Sequence, residues 1–464
     1  MNLETYYNYI DGKTVTFCGI GRSNMPLIEM FAKKGAIVSA RDKNKNLGEN
    51  IEILKNLGVK MYLGENYLEN LTEDIIFRAP GMPYFMPELQ KAIKNGQTVT
   101  SEIETFFELC PCKIYAITGS DGKTTTTSII ADMLKKQGNR VHLGGNIGRP
   151  LLPIIEDVSK YDYAVVELSS FQLISMKKSP DVAVMTNLAP NHLDVHKDMK
   201  EYVDAKRNIY LHQNSSSKIV LNMDNDITRS FKDDVKSELW SFSMKETPSR
   251  GAYCKNGEIF VNGKKTMNET DIKLEGKHNV ENFLAAISAV WGDVSPDNVI
   301  ATARTFGGVP HRCEFVKKVA GVKYYNDSIA SSPSRVLSGT LAMYDKKIIM
   351  IAGGADKNVG FDELGHKICD KTKVLILIKP EEQIDGFKPS AADKISLSVR
   401  KSHKYMLNYP VIIRVTCMED AVAAAHEIAK DGDIVSLSPA CTSFDMYQNF
   451  EVRGNHYKEI VNKL

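Results

Sequence analysis

The run Ile114-Tyr-Ala-Ile-Thr-Gly119-Ser-Asp-Gly122-Lys123-Thr124-Thr125-Thr-Thr-Ser128 constrains the fold more than any other stretch of the chain. Its apolar start reads as a buried strand, two glycines break it into a tight turn, and the residues that follow restart as a helix. That helix carries Ile129, Ile130, Met133 and Leu134 on one stripe and stops near Gly138. At such a junction the N–H groups of the first helical turn and the positive dipole end converge on one spot, which suits a phosphate. Lys123 adds a point charge there and Thr124 a hydroxyl able to ligate a metal. The strict form of this loop has a glycine five residues before Gly122, where this chain has Ile117, so Thr118-Gly-Ser-Asp-Gly-Lys-Thr-Thr125 marks a subclass. An ordinary turn is the competing reading, disfavoured by Gly-Lys-Thr between strand and helix.

A chain of 464 residues is too long for one core, and three domains of roughly 150 residues each are expected. An apolar content of 43% with 25% charged residues describes an ordinary globular protein, and a net charge of +2 favours neither nucleic acid nor an anionic membrane as partner. No run approaches the roughly 18 apolar residues of a membrane span, and the start Met1-Asn-Leu-Glu-Thr-Tyr-Tyr7 is no signal peptide, so the cytosol is the expected location. The eight cysteines lack zinc-type pairing, since Cys110-Pro-Cys112 is CxC and not CxxC; reduced thiols are expected.

Alternation of strands and helices predicts an α/β fold of three domains, at residues 1–104, 105–308 and 309–464. The first opens with a strand Thr14 to Cys18, the turn Gly19-Ile-Gly21-Arg-Ser23-Asn24, an apolar helix, and a second strand Ala36 to Ala40 ending at Asp42. This is a Rossmann-like start in which Asp42 could bond a ribose or a base, although Asn24 replaces the third glycine and a bland strand-helix turn is an equal alternative. The central block holds the phosphate loop and strands at Tyr163 to Leu168 and Val182 to Leu188, in a largely parallel sheet. The last block, again Rossmann-like, has strands at Lys347 to Ala352, Val374 to Ile378, Val411 to Val415 and Asp433 to Leu437, and a helix from Met418 to Lys430.

Further segments carry groups that a nucleoside triphosphate needs. Glu167 ends a strand of a parallel sheet, where ligands bind, and is a plausible magnesium ligand. His192 follows the next strand; a loop histidine is commonly a surface or capping residue, and the alternative is a second metal site. Lys206 borders the apolar face of a helix, where a solvated lysine is the default. Asn279 and Asn282 could read an adenine edge or cap a helix. Arg312 could reach phosphates and Asp327 a ribose hydroxyl, against surface salt-bridging for each.

In order and spacing these segments resemble the Mur ligase family across nearly the whole chain, and Ser438-Pro-Ala-Cys-Thr-Ser443-Phe-Asp-Met-Tyr-Gln-Asn-Phe450-Glu-Val-Arg453-Gly454 is similar to the signature of its D-glutamate-adding branch. The resemblance implies an ATP-dependent ligase that joins D-glutamate to UDP-N-acetylmuramoyl-L-alanine through an acyl phosphate in peptidoglycan precursor synthesis. Its partners would be these small molecules, and a monomer is expected. By the same resemblance Gly119, Ser120, Asp121, Gly122, Lys123, Thr124 and Thr125 bind the ATP phosphates. Two magnesium ions are implied, with Thr124, Glu167, His192 and a carbamylated Lys206 as ligands. Asn279 and Asn282 then face adenine, Arg312 the phosphates and Asp327 the ribose. Ser23, Asn24, Asp42, Asn146, Ser169 and Gln172 contact the UDP-linked substrate or the phosphates, and Lys357, Ser443 and the backbone at Phe450 hold D-glutamate. One departure is Ile329, where many relatives carry lysine; Arg335 or Lys357 is expected to supply the missing charge. A folylpolyglutamate-synthase-like ligase would share the central block but leave the turn ending at Asp42 without a purpose. A nucleotide-switch or transport ATPase would need no amino-acid pocket.

Overall fold

Three sheets organise the described residues, which in this computed structural model are 1–21, 23–189, 196–356, 359–380 and 389–464. The first holds β1 (Thr14–Cys18), β2 (Ile37–Asp42), β3 (Lys60–Leu63), β4 (Ile75–Arg78) and β5 (Thr98–Thr100). Their order is β3-β2-β1-β4-β5 with every neighbour parallel. The strand order reverses between β1 and β4, so the turn at Gly19 lies at a switch point, where doubly wound sheets bind their ligands. Gly19 has φ 92°, and a Cβ there would lie 2.7 Å from the Ala79 side chain.

The second sheet comprises β6 (Lys113–Thr118), β7 (Val141–Gly145), β8 (Tyr163–Glu167), β9 (Val182–Met185), β10 (Lys218–Asn222), β11 (Glu238–Ser243), β12 (Gly251–Lys255), β13 (Glu258–Val261) and β14 (Lys264–Asn268). Their order is β14-β13-β12-β11-β10-β9-β6-β8-β7. β6 lies inside the sheet between β8 and β9, parallel to both, and its side chains alternate between two buried faces. Ile114 and Ala116 enter the core shared with Tyr202 and Ile209 of helix Met199–Leu211. Tyr115 and Ile117 enter the opposite core, with Ile129 and Ile130 of helix Lys123–Lys136 and Phe283 of helix Lys277–Val290. The strands expected at Tyr163 to Leu168 and Val182 to Leu188 stop at Glu167 and Met185. The antiparallel extension β12–β14 makes this sheet mixed.

The third sheet, in order β15-β16-β20-β17-β18-β19, uses β15 (Glu314–Val319), β16 (Val322–Asn326), β17 (Ile348–Ala352), β18 (Thr372–Ile378), β19 (Val411–Val415) and β20 (Ile434–Leu437). Among the described residues of this sheet, only β15 pairs antiparallel.

The chain divides into two compact units, Met1–Phe306 and Gly307–Leu464. Within the first, both sheets contribute to one apolar core that includes Phe17, Phe77, Phe106, Leu151 and Ile209. Two buried charged groups fasten them together. Arg78, 1% exposed at the end of β4, donates to the Phe171 carbonyl at 2.9 Å, to Ser175 Oγ at 2.7 Å and to the Met82 carbonyl at 3.3 Å. Glu102 Oε1 accepts from the N–H groups of Leu151 at 2.6 Å and Leu152 at 2.8 Å, while burial pushes its carboxyl up from the ordinary range. Removing one member of such a network strands its partners without water. Arg78→Met should therefore destabilise the first unit by about 2–4 kcal/mol. Trp240 and Trp291, the two tryptophans of the chain, both lie in that unit, so the midpoint of denaturant unfolding followed by tryptophan fluorescence checks it. An unchanged midpoint would contradict the role assigned to Arg78.

Candidate active site

β6 delivers its last residue, Thr118, into the glycine turn, and β9 braces that turn from the side. Gly119 has φ 154° and Gly122 φ 78°. A Cβ on Gly119 would lie 1.9 Å from Thr186 Oγ1, so no other residue fits there without displacing the brace. The carbonyl of Asn187 accepts from the Ser120 N–H at 2.8 Å, and Asn187 Oδ1 from the Asp121 N–H at 2.9 Å. Thr186 Oγ1 donates to the Asp121 carbonyl at 2.6 Å. Ser120 Oγ donates to the Ala189 carbonyl and accepts from the Ala189 N–H, both at 2.9 Å. Ser120 and Asp121 are thus occupied in shaping the loop. The anion-facing part is the helical first turn, Lys123 to Thr125, whose N–H groups have no intrahelical acceptor. Lys123 Nζ folds back to the Ser120 carbonyl at 2.9 Å, and Thr124 is buried behind the turn.

Beneath the loop lies Lys206. It is 2% exposed, and its Nζ donates to Thr118 Oγ1 and to the Gly119 carbonyl, each at 3.0 Å. Burial, and then the positive charge of Lys123, push its pKa well below the ordinary lysine value of 10.5, while Glu167 pulls the other way. A neutral amine in this position is a nucleophile. Glu167, 1% exposed at the end of β8 and level with Ile117 of β6, accepts from Asn146 Nδ2 at 2.7 Å through Oε1. Its Oε2 is buried without a hydrogen-bond partner. An orphaned carboxylate oxygen beside the loop fits a hard, oxygen-seeking cation. Among the described residues no group of three or more His, Cys, Asp or Glu could hold a metal. The expected ligand His192 lies outside the described residues, as does Lys357.

Other expected residues take part in structural bonds. Asn282 Oδ1 accepts from Thr126 Oγ1 at 3.2 Å, its Nδ2 donates to Asn279 Oδ1 at 3.3 Å, and Asn279 Nδ2 donates to the Glu275 carbonyl at 2.8 Å. This chain of amides pins helix Lys277–Val290 to the phosphate helix. Ser169 and Gln172 form a reciprocal capping box on the short helix Ser170–Leu173. In the first sheet Asp42 Oδ2 accepts from the Ile20 N–H at 2.7 Å and Oδ1 from the Asn44 N–H at 2.8 Å, so this carboxylate shapes the Gly19 turn. Asn24 donates to the Gly19 carbonyl at 2.9 Å and leaves its Oδ1 buried and unpartnered beside the half-buried Ser23.

Sequence reasoning assigned Tyr202 to an apolar helix face and did not single out His196. The Tyr202 hydroxyl lies 2.9 Å from Ser120 Oγ, and its ring passes 5.0 Å from Lys206 Nζ. His196 stacks on Phe171 with centroids 5.0 Å apart and bridges Ser170 Oγ at 2.8 Å and Glu201 Oε1 at 2.9 Å. The spacing of Tyr202 and Lys206, one helical turn apart on one face, was the available signal. His196 sits in a loop without periodicity and offered none.

The second unit builds its own polar cluster around Arg453, 3% exposed. Its guanidinium donates to Ser328 Oγ at 3.0 Å and to the carbonyls of Ser328 at 2.8 Å, Cys441 at 3.2 Å and Thr442 at 3.0 Å. Ser328 Oγ in turn donates to the Phe450 carbonyl at 2.8 Å, so the backbone at Phe450 is linked through Ser328 to Arg453. Ser443 is buried next to this cluster in sequence, at the turn after β20. A Cβ on Gly454 would strike His311 Nδ1 at 2.1 Å, which explains the glycine after Arg453. Asp327 is buried, accepts from Thr340 Oγ1 at 2.5 Å and the Cys313 N–H at 3.2 Å, and is pushed up to about 6 by burial. Arg312 is exposed, and Arg335 donates to the Ile329 carbonyl at 3.2 Å.

Residues 117–290 match the Mur ligase middle domain, and residues 311–441 the Mur ligase glutamate ligase domain. The UDP-N-acetylmuramoylalanine--D-glutamate ligase of Clostridium botulinum strain Alaska E43 is 48% identical over 469 residues, covering 100% of this chain and 99% of its own. That of Clostridium novyi is 47% identical over 464 residues, covering 99% and 98%. The chain belongs to the Mur ligase family. Solved Mur ligase structures share the fold at low identity. A UDP-N-acetylmuramoyl-L-alanyl-D-glutamate--2,6-diaminopimelate ligase gives a TM-score of 0.54 at 16% identity, over 98% of this chain and 94% of that one. The UDP-N-acetylmuramate-alanine ligase of Thermotoga maritima gives 0.51 at 16%, over 97% and 99%.

The buried Lys206 has a measurable signature. Between its lowered folded value and 10.5, the unfolded chain binds a proton at this lysine that the folded chain does not, so unfolding free energy rises with pH across that window. Lys206→Met should abolish this rise, gaining most relative to the parent at the acidic end and nothing above the ordinary value. Ligation should fall by about 10²-fold or more. Denaturant titrations at a series of pH values decide it; parallel profiles for the two proteins would contradict the burial of an uncharged amine.

Proposed function

We propose that this Mur ligase joins D-glutamate to UDP-N-acetylmuramoyl-L-alanine, with cleavage of ATP to ADP and phosphate, in peptidoglycan precursor synthesis. The observation that carries the reading is the convergence of Lys123, Glu167 and Lys206 on one glycine turn, in a chain similar over its full length to ligases of that name. In the proposed assignment residues 1–104 bind the UDP portion at the Gly19 turn through Ser23, Asn24 and Asp42. Residues 105–308 bind ATP at Gly119 to Thr125, with Asn279 and Asn282 toward the adenine. Residues 309–464 bind D-glutamate through Lys357, Ser443 and the Phe450 backbone, and Arg312 and Asp327 serve the nucleotide. Asn146, Ser169 and Gln172 contact the muramoyl-alanine portion or the phosphates.

A carboxylate resists attack by an amine, so the alanyl carboxylate must first be activated. One of its oxygens attacks the γ-phosphorus, the bond to the ADP oxygen breaks, and an acyl phosphate results. Lys123 offsets the repulsion between the two anions and holds the transferring group in line. The D-glutamate amine then attacks the carbonyl carbon, and the tetrahedral intermediate collapses to amide as phosphate leaves. Thr124 and Glu167 would hold one magnesium ion, and His192 with Lys206 a second, supplying further charge neutralisation when bound. Lys206 suits that task only as an anion. Its uncharged amine can add to carbon dioxide, and the resulting carbamate offers oxygen in place of ammonium.

Release of ADP in the presence of UDP-N-acetylmuramoyl-L-alanine, with each amino acid supplied in turn, tests the assignment. D-glutamate should stimulate release by at least tenfold over L-glutamate, lysine or diaminopimelate, and omission of the acceptor should abolish the stimulation. Equal release without acceptor would mark an ATPase of another kind.

A further inference from the structure

Helix Glu102–Leu109 ends at Cys110, and β6 begins at Lys113, so the link between them is Cys110-Pro111-Cys112. The two sulfurs lie 3.4 Å apart. Cys110 is partly exposed and Cys112 is 5% exposed, and both line a cavity of about 530 Å³ with Lys113, Lys178, Asp181 and Lys218. Lys113, Val182, Lys218 and Glu238 begin β6, β9, β10 and β11, so the cavity opens at the N-terminal ends of these parallel strands. The phosphate loop lies at the other end of β6, roughly 20 Å away by strand rise. The cavity therefore lies apart from the phosphate loop.

The two thiols are differentiated. Hydrogen bonding from Cys112, assisted by the nearby charge of Lys178, holds the Cys110 thiol below the ordinary range, and the same contact pushes Cys112 up. Burial pushes Cys18, Cys254, Cys313, Cys369 and Cys417 up as well. We propose that Cys110 and Cys112 form a peroxide-reactive dithiol that closes reversibly to an intrachain disulfide, with Cys110 as the attacking and Cys112 as the resolving thiol.

In the first step the Cys110 thiolate sulfur attacks one oxygen of a hydroperoxide. The O–O bond breaks, the other oxygen leaves and takes up a proton, and Cys110 becomes a sulfenic acid. The Cys112 sulfur then attacks that sulfur; the S–S bond forms, the S–O bond breaks, and the departing hydroxide takes the Cys112 proton as water. Two thiols lose two electrons and two protons, and hydrogen peroxide is reduced to two waters. A partly exposed disulfide over so short a span is readily returned to thiols by a dithiol reductant.

Trypsin releases Asn95–Lys113 as one peptide whose only cysteines are these two. The intact enzyme, treated with a small excess of hydrogen peroxide, alkylated and digested, should show that peptide short of two hydrogens and unalkylated before any other cysteine changes, and dithiothreitol should restore both thiols. In Cys112→Ser, dimedone should trap Cys110 as the sulfenic acid; in Cys110→Ser, Cys112 should stay unlabelled. Oxidation of another cysteine first, with this peptide still fully alkylated, overturns the proposal, as does trapping of Cys112 in place of Cys110.

Discussion

A lysine amine held without water under a glycine turn is the interaction on which the rest of the catalytic unit depends. Lys206 takes its two acceptors from Thr118 and Gly119, the last residue of β6 and the first of the loop. A charged ammonium there would bear the cost of desolvation beside a second cation, Lys123, so the site disfavours the charged form. The same amine fixes where β6 ends, and with Tyr202 it ties helix Met199–Leu211 to the loop. Stability and chemistry thus draw on one contact.

Around that contact the architecture is repetitive. Each of the three sheets places parallel strands side by side so that turns gather at their C-terminal ends. The first sheet shapes its turn with Asp42 and Asn24, the second with Thr186 and Asn187, and the third with Arg453 and Ser328. In all three the polar side chains bond the backbone of a turn, and a bulkier residue at Gly19, Gly119 or Gly454 would collide with a neighbour. The walls of these turns are thus hydrogen-bonded backbone.

Much of this was legible in the amino-acid sequence because buried parallel strands write themselves as apolar runs punctuated by glycine. β1 and β19 have the expected bounds, and Glu167 stands at a strand end as anticipated. The alternation that predicts sheet and helix carries no record of who pairs with whom. The hairpins of β12, β13 and β14, short and mixed in polarity, escaped notice, as did the antiparallel edge β15. At the candidate site, the expected residues carried no record of their bonds: Ser169 with Gln172, and Asn279 with Asn282, are engaged with one another. The depth of Lys206 was hidden too, since a helical lysine at the margin of an apolar face has the same pattern whether it snorkels to solvent or points inward.

The central claim is that the terminal phosphoryl group of ATP passes to the carboxylate of the acceptor before the amine arrives. UDP-N-acetylmuramoyl-L-alanine labelled with heavy oxygen in its terminal carboxylate tests it directly, by mass analysis of the inorganic phosphate released during turnover with D-glutamate. Transfer through an acyl phosphate requires one labelled oxygen in each phosphate formed. Phosphate that carries no label while the amide product accumulates would contradict the account.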